Sequence, residues 1–376
     1  MAVAIPFLSS AQGSMQLEFI TPNSPRWRAI LDQVPHDIYH LPQYVQLEAQ
    51  RTGTIPEAVA IAADERLFFV PYLIRSCEDI AADGYLMPES FDIVSPYGYP
   101  GIVVNAAAQS PDFLRGAMAA LKGGLQAKGV CSAFFRLHPI LNGVFGGGEI
   151  PGLVFQGETV SVDLHLSEAD IWSHTKRDHR NKINRCRRAG LTAEMVPCAA
   201  DLPEFVEIYL ETMDRVGAAD RYRAFDLDYF SQLLGILGER LHLCLVKCRG
   251  EVASAGLYTE WQGIVQAIFG GTRSRYVKQS PSTLETDFVR IWAKQRGNRF
   301  LHLGGGVGAT QDPLFRFKAG FSKQRHDFYT LRWVTDDDRY QSLVELRAKA
   351  QEATPEALLA TSFFPAYRAS IGESHA

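Results

Sequence analysis

The sequence predicts an α/β protein made of two similar units in tandem, each a mixed, mostly antiparallel sheet flanked by helices. The same order of extended and helical segments recurs after about 170 residues. The tripeptide Gln-Ser-Pro opens a helix at the same place in both copies. Hairpins without regular βαβ alternation argue against a doubly wound sheet. The 376 residues are enough for two domains of ordinary size.

The two predicted copies have the same elements. The first copy has strands 57–63, 66–74 and 91–104, a helix 111–128 and a strand 132–137. The second has strands 241–247, 252–261 and 264–270, a helix 281–296 and a strand 299–303. In each copy a serine followed by a proline predicts a capped helix start. A glycine, Gly129 or Gly297, marks the helix end.

Further elements surround the second copy and set the predicted domain boundaries. Helices 167–189 and 202–216 precede it, and Ser167 and Asp170 have capping-box spacing at the start of the first helix. A strand 327–334 and a helix 339–352 follow it. We therefore expect a first domain at 1–160, with 1–15 as a loose tail, a second domain at 161–345, and a helical tail at 346–376.

The composition excludes several classes of protein. A net charge of −4 with 46% hydrophobic and 21% charged residues is typical of a soluble globular protein. It argues against general coating of nucleic acid but leaves open a local phosphate site. Six cysteines without a CxxC pair predict reduced thiols, with neither a disulfide framework nor a metal site. No apolar run reaches the roughly 18 residues of a membrane span, and no signal peptide is recognisable, so we expect a cytoplasmic protein.

The segment around Lys318 is the strongest candidate for a catalytic site. Lys318 lies among Phe315, Phe317 and Phe321, just after the glycine-rich residues 303–308. A cation on an apolar wall can hold an oxyanion or a phosphate. Alternatively, the lysine stem covers aromatic surface while its ammonium reaches water. The glycine run lacks the acidic residue that a dinucleotide fingerprint requires, so NAD binding is rejected.

Two segments are candidate binding sites for phosphate. The helix 167–189 carries seven cations within thirteen residues, and we expect Arg177, Arg180 and Arg185 to contact phosphate. In the alternative, these cations are solvated or pair with acids of the first domain. The second segment is the helix start at 279–283, where Ser282, Arg273 and Arg275 surround free backbone amides. Plain helix capping is the alternative there.

Candidate substrate-binding residues occur in both halves. Tyr97 and Tyr99 lie in a turn rich in glycine and proline, where tyrosines either line a pocket or cap a core. Tyr209 and Arg215 belong to one polar stripe of the second helix. No carboxylate can be singled out as a general base.

Several motifs together resemble those of a known family. In chain order they read SPYGYPG, RLHP, KRDHRNKINRCRRAG, YLETMDR, GGTRSRY, LHLGGG and FRFKAGF. This combination resembles the Fem family of aminoacyl-tRNA-dependent peptidyltransferases and related tandem GNAT acyltransferase-like proteins, over roughly residues 30–335. The resemblance implies two GNAT-like domains and acyl transfer to an amine without a covalent enzyme intermediate. It also implies that Lys318 lies near the reacting ester with Phe317 beside it, and that Tyr97, Tyr99 and Arg215 line the acceptor site.

The sequence departs from the family in two places. The long helical hairpin of some Fem proteins has no counterpart, and residues 273–276 replace the coenzyme A loop of ordinary GNAT enzymes. We expect transfer of an aminoacyl group from aminoacyl-tRNA to an amine of a cell-envelope precursor or an amino-bearing metabolite, without a tightly bound cofactor. The alternatives are an N-acyltransferase that uses acyl-CoA or acyl-carrier protein, and a non-catalytic protein that binds a phosphorylated glycan or lipid precursor.

Overall fold

The computed structural model describes residues 15–80, 89–143 and 150–370. They form two compact units: unit 1 comprises the described residues up to Gln156 and from Phe328 onwards, and unit 2 comprises Gly157–Asp327. These bounds differ from the predicted domains because the residues after Asp327 pack within unit 1. There, the hydroxyl of Tyr367 and the guanidinium of Arg368 bond the buried carboxylate of Asp92 at 3.1 and 2.6 Å.

The helices and strands follow one another along the chain. In order they are β1 (Gln16–Ile20), α1 (Pro25–Leu31), α2 (Pro42–Thr52), β2 (Ile55–Ala63), β3 (Arg66–Ser76), β4 (Phe91–Val94), β5 (Val103–Val104), α3 (Pro111–Ala127), β6 (Val130–Arg136), β7 (Leu153–Asp163), α4 (Glu168–His174), α5 (Arg177–Arg188), β8 (Leu191–Val196), α6 (Cys198–Arg215), α7 (Leu227–Leu237), β9 (Leu241–Cys248), β10 (Glu251–Trp261), β11 (Ile264–Thr272), α8 (Pro281–Gln295), β12 (Phe300–Gly304), α9 (Pro313–Lys318), β13 (Arg325–Val334), α10 (Asp337–Ala350) and α11 (Pro355–Leu359). None of the described helices is long and apolar enough to cross a bilayer.

The sheet of unit 1 has the strand order β1-β2-β3-β4-β6-β13, and β5 pairs with β3. Only β4 and β6 pair in parallel among these strands, and the helix α3 lies between them in the chain. Phe113 and Leu121 of α3 belong to one buried cluster with Phe68 and Phe135 of the sheet. This apolar core is what an amphipathic helix on one face of a sheet produces.

The sheet of unit 2 has the strand order β8-β9-β10-β11-β12-β7. Its only parallel pair is β11 with β12, and α8 lies between these strands in the chain. Apart from β5, the two sheets thus have the same order of pairings from edge to edge: three antiparallel, one parallel and one antiparallel. The predicted fold class, two mostly antiparallel α/β units in tandem, is confirmed.

Two predicted elements are divided in the structure. The helix predicted at 167–189 consists of α4 and α5, because Thr175 and Lys176 have extended backbone angles and the amide of Lys176 donates to the carbonyl of Gly320 at 2.8 Å. The strand predicted at 91–104 consists of β4 and β5. The turn between them contains Gly98 with a φ of 90°, and a Cβ there would lie 2.3 Å from the ring of Tyr39.

The two Gln-Ser-Pro segments start their helices differently. Ser110 is extended, and its hydroxyl accepts a hydrogen bond from the amide of Phe113 at 3.4 Å. Ser280 has a φ of 58° and makes no side-chain cap, so the predicted serine cap is wrong for α8. Proline occupies the first helical position in both, as predicted.

Candidate active site

The glycine-rich turn after β12 and the short helix α9 are linked through Asp312. The Asp312 carboxylate caps α9 by accepting from the amide of Phe315 at 2.7 Å. It also accepts from the amide of Val307 at 3.2 Å. A Cβ at Gly306 would lie 2.4 Å from Asp312 Oδ1, so glycine is required for this close approach. The turn therefore holds the start of the helix that carries Phe317 and Lys318.

Lys318, the last residue of α9, is partly buried and points at the glycine-rich turn. Its Nζ donates to the carbonyl oxygen of Gly305 at 2.6 Å, its one hydrogen bond to the described part of the chain. Burial lowers the pKa of the Lys318 ammonium to about 8, and the Asp312 carboxylate opposes this shift. An ammonium with three donors thus keeps two N–H groups for a substrate, and it titrates close to neutral pH.

His179 of α5 fixes the position of Phe317. Its Nε2 donates to the carbonyl oxygen of Phe317 at 2.9 Å. The imidazole centroid lies 5.5 Å from that of Phe317 and 4.7 Å from that of Phe321. A Cβ at Gly320 would lie only 2.3 Å from the imidazole. The glycine of the FRFKAGF motif therefore lets α9 approach the basic helix.

His179 was missed by the sequence reasoning, although a signal was present. His179, Ile183 and Cys186 are the buried residues of α5 and recur at helical spacing. Burial lowers the pKa of His179, so the imidazole is neutral at neutral pH. A neutral ring that donates from Nε2 is a positioning group for Phe317 rather than a cation.

The exposed side of α5 carries the predicted phosphate-binding arginines. Arg177 is exposed and has no ion pair or hydrogen bond through its side chain to the described residues. Arg180 donates to the carbonyl of Trp172 at 3.4 Å, and Arg185 donates to the carbonyl of Lys278 at 3.2 Å. Carbonyl partners leave the positive charge of both arginines uncompensated. The helix thus remains electropositive, which is compatible with phosphate binding and with the solvated alternative.

The loop after β11 differs from what the sequence suggested. Arg273 lies 3.0, 3.4 and 3.8 Å from carboxylates of α6, which belong to Glu204, Glu207 and Glu211. The amide of Ser274 donates to Glu211 at 2.6 Å, and this bond is the main reason for the lowered pKa of Glu211. Arg273, which we expected near a phosphate, is therefore paired with acids, and the neighbouring Ser274 amide is bonded to one of them.

The other predicted residues of this loop and of α6 have structural partners. Arg275 pairs with Glu251 at 3.0 Å. The carbonyl of Ser282 accepts from the Thr286 hydroxyl at 3.0 Å, and the Ser282 side chain is half-buried. Arg215 donates to the carbonyl of Thr272 at 2.8 Å and to the Ser274 hydroxyl at 2.9 Å. These contacts stabilise the loop, and none of them places Arg215 beside Lys318.

Tyr209 lies in an aromatic cluster. Its ring is buried, with centroid distances of 5.7 Å to both Phe230 and Phe269. Its hydroxyl donates to the carbonyl of Tyr222 at 3.0 Å. A buried tyrosine with its hydroxyl bonded to the backbone is a packing residue, and these contacts do not favour the predicted role of Tyr209 in substrate binding.

Tyr97 and Tyr99 of unit 1 are half-buried near a histidine–aspartate pair. The carbonyl of Tyr97 accepts from the Tyr44 hydroxyl at 3.0 Å, and the Tyr99 ring lies 6.5 Å from that of His138. His138 Nε2 donates to buried Asp37 at 3.0 Å, and its Nδ1 accepts from backbone amides at 3.1 Å. Both nitrogens of His138 are thus occupied, so this histidine is structural.

The helix α8 carries a buried carboxyl group close to the sheet. Ser254 and Tyr258 donate to the two oxygens of Glu285, each at 2.9 Å. Burial raises the pKa of Glu285 to about 7, against the effect of these two donors. A group that titrates near neutral pH suits a general base, but the hydroxyl donors already use both of its oxygens. Among the described residues, no group of three or more His, Cys, Asp or Glu is placed to hold a metal ion.

Comparison with known proteins agrees with this architecture. Residues 173–319 match the family model described as an acetyltransferase (GNAT) domain. The crystal structure of FemX aligns with this chain with a TM-score of 0.63 and 13% sequence identity. The alignment covers 87% of this chain and 99% of the FemX chain. The crystal structure of a conserved protein of unknown function from Bacteroides thetaiotaomicron VPI-5482 aligns with a TM-score of 0.51 and 10% sequence identity. That alignment covers 83% of this chain and 97% of the Bacteroides chain. Comparison with curated protein sequences gave no match.

These likenesses agree with the predicted fold class. Most of unit 2 is an acetyltransferase-type domain, because the matched residues extend from the end of α4 through α9. The fold as a whole is shared with FemX. The match to the acetyltransferase (GNAT) model is therefore located in unit 2 and supports an acyltransferase.

Proposed function

We propose that this acyltransferase moves an aminoacyl group from aminoacyl-tRNA to an amine of a cell-envelope precursor or an amino-bearing metabolite. The observation that carries the proposal is Lys318, a partly buried ammonium held at 2.6 Å by the carbonyl of Gly305, with two further donors to offer. Phe317 forms the apolar wall beside it, positioned by His179. Tyr97 and Tyr99 of unit 1 remain proposed acceptor-binding residues.

The proposed reaction is a direct transfer. The acceptor nitrogen attacks the ester carbonyl, a C–N bond forms, and the C–O bond to the tRNA ribose breaks. The amine loses a proton and the ribose oxygen gains one. The Lys318 ammonium stabilises the negative charge on the carbonyl oxygen, for which a preorganised donor contributes about 3–4 kcal/mol. A pKa of about 8 also lets Lys318 pass a proton to the leaving oxygen.

The contacts of Arg273 support tRNA over coenzyme A as the donor. Next to the loop before α8, the Arg273 guanidinium and the Ser274 amide are both bound to carboxylates of α6 and are not open to a pyrophosphate. The same carboxylates would repel the incoming phosphates. In contrast, the exposed Arg177 on α5 retains its charge for a nucleic acid backbone.

A second candidate function is supported by a different observation. The matched family model is that of an acetyltransferase domain, which favours an N-acyltransferase that takes acyl-CoA or acyl-carrier protein as co-substrate. A third candidate is a non-catalytic protein that holds a phosphorylated glycan or lipid precursor, in which case Lys318 is dispensable.

One experiment separates these candidates. The protein is incubated with charged tRNA pools and, separately, with acyl-CoA or acyl-carrier protein, and loss of label from each donor is followed. The proposal predicts amine-dependent discharge of tRNA, reduced roughly 10²–10³-fold by Lys318→Met. The exposed Lys323, five residues further on, supplies the matched control, and Lys323→Met is expected to keep full activity.

Each other result has a defined meaning. Discharge of a thioester alone contradicts the tRNA donor and favours the second candidate. Discharge of neither donor favours the binding protein. Full activity of Lys318→Met contradicts the role of this lysine under either donor.

A further inference from the structure

A pocket of about 240 Å³ lies in unit 2 among α4, α5 and α8. Neither Lys318 nor the glycine-rich turn contributes to its walls. The lining side chains come from three helices: Glu168, Ile171, Trp172, Arg187, Asp287, Arg290, Ile291 and Lys294. The volume is just below the roughly 300–1,000 Å³ of ordinary ligand pockets, so the pocket suits a small ligand and not a whole coenzyme A.

One side of the pocket combines an indole, two isoleucines and two guanidinium groups. Trp172 is half-buried, with Ile171 and Ile291 as neighbours in the wall. Two guanidinium groups lie over the Trp172 ring, with Cζ at 6.0 Å for Arg187 and 5.5 Å for Arg290. Indole and guanidinium planes are the surfaces on which flat π systems stack in proteins. This wall therefore favours a ligand with a planar ring.

The charge of the lining is positive. Arg187 and Arg290 bind opposite oxygens of the single carboxylate of Asp287, the former at 2.5 Å, so two cations share one negative charge. Lys294 donates to the carbonyls of Leu164 and Leu166 at 2.7 and 2.8 Å, which leaves its charge uncompensated. The remaining acid, Glu168, lies in the first turn of α4. An anionic group is accordingly favoured in the pocket.

Arg290, one of the lining residues, is almost fully buried. Its side chain is only 4% exposed. One terminal nitrogen donates to the Thr175 hydroxyl at 3.0 Å, and another bonds Asp287. Its Nε is buried and has no hydrogen-bond partner among the described residues. A buried N–H without an acceptor is unfavourable, so the hydrogen bonding of this lining arginine is incomplete.

We propose that this pocket binds a nucleotide. The base lies against Trp172 and the two isoleucines, and the phosphate lies near Arg187, whose side chain is half-exposed at 48%. The same chemistry describes a free nucleotide and one nucleotide of a single-stranded RNA end. The inference goes beyond the proposed transfer reaction, because it concerns binding at residues that the reaction does not use.

Isothermal titration calorimetry at low salt tests the proposal without turnover. The ligands are AMP, adenosine, inorganic phosphate and a single-stranded RNA trinucleotide. AMP is expected to bind at least about tenfold more tightly than adenosine or phosphate alone, because ring and anion are both recognised. A trinucleotide that binds tenfold more tightly than AMP identifies an RNA end as the ligand. Equal affinities identify a free nucleotide.

Variants assign the binding to the pocket. Trp172→Ala and Arg187→Gln are each expected to raise the dissociation constant for AMP about tenfold or more. If Trp172→Ala proves unfolded, Trp172→Phe replaces it; this variant keeps a ring and should keep most of the affinity. Arg188→Gln, an exposed neighbour outside the pocket, is the charge-matched control and should leave AMP binding unchanged. The proposal is overturned if AMP does not bind at millimolar concentration, or if Arg188→Gln weakens binding as much as Arg187→Gln.

Discussion

The corresponding helices α3 and α8 occupy the same place in the two units but bury different side chains. Each follows Gln-Ser-Pro and connects the two parallel strands of its sheet. The buried residues of α3 are all apolar or glycine: Phe113, Leu114, Ala117, Met118, Leu121, Gly124 and Leu125. Those of α8 include five polar or charged residues: Thr283, Glu285, Thr286, Asp287 and Arg290.

This difference indicates where the function is located. Unit 1 demonstrates that the fold needs only an apolar helix at this place, so the buried charges of α8 are not a requirement of the architecture. Buried charges are unfavourable unless paired, and they are concentrated at functional sites. The buried polar residues of α8 and the open donors of Lys318 therefore favour the proposal that unit 2 is the catalytic half.

The largest effect on stability is expected for a substitution of Asp287 in α8. Counted from the shared serine, Asp287 corresponds to Ala117 of α3, and both are fully buried. Asp287→Asn removes the charge that Arg187 and Arg290 share, so we expect the free energy of unfolding to fall by about 3–5 kcal/mol. Urea unfolding measures this change.

A matched acid supplies the control for that substitution. Asp178 pairs with Lys182 at 2.7 Å on the surface of α5, with its own side chain 70% exposed. Asp178→Asn should cost only about 0.3–0.5 kcal/mol. If both substitutions lower the free energy of unfolding equally, the buried ion pairs of α8 contribute no more than a surface pair. That result would contradict the contrast drawn between α8 and α3.

A smaller effect is expected at the two helix starts. Ser110→Ala removes the cap on Phe113 and should destabilise the protein by about 1 kcal/mol. Ser280→Ala removes no cap and should change stability by no more than a few tenths of a kcal/mol. Thermal unfolding of both variants tests the contrast, and a cap-sized loss at Ser280 would contradict the observed left-handed conformation.

Only a small change in stability is expected on the basic helix. Arg177→Gln with Arg180→Gln should change the free energy of unfolding by no more than about 0.5 kcal/mol. Binding of charged tRNA should nevertheless weaken, and its dependence on the logarithm of salt concentration should flatten by roughly 0.7–0.9 per lost phosphate contact. Filter binding across a salt series gives this slope. A lower melting temperature with an unchanged slope would indicate a purely structural helix.

The sequence predicted the fold more completely than the site. Alternating strands, proline starts and glycine ends are local signals, and they located most elements of both copies. The break at Thr175 and Lys176 depends on a bond to Gly320, far along the chain, and could not be read locally. The same holds for Arg273, since its three acids on α6 are distant in sequence. Lys318 was found because its aromatic neighbours are adjacent in sequence.

The most direct test of the account is the pH dependence of turnover at saturating substrates. Burial lowers the pKa of Lys318 to about 8, so the ammonium is lost as the pH rises through that value. We therefore predict that kcat falls as the pH rises above about 8, after correction for spontaneous ester hydrolysis. Lys318→Arg keeps its charge because arginine does not titrate below about pH 12, so this variant should lose the decline even if its rate is lower. A kcat that rises through pH 8, or a decline that persists in Lys318→Arg, would contradict a catalytic ammonium at this position.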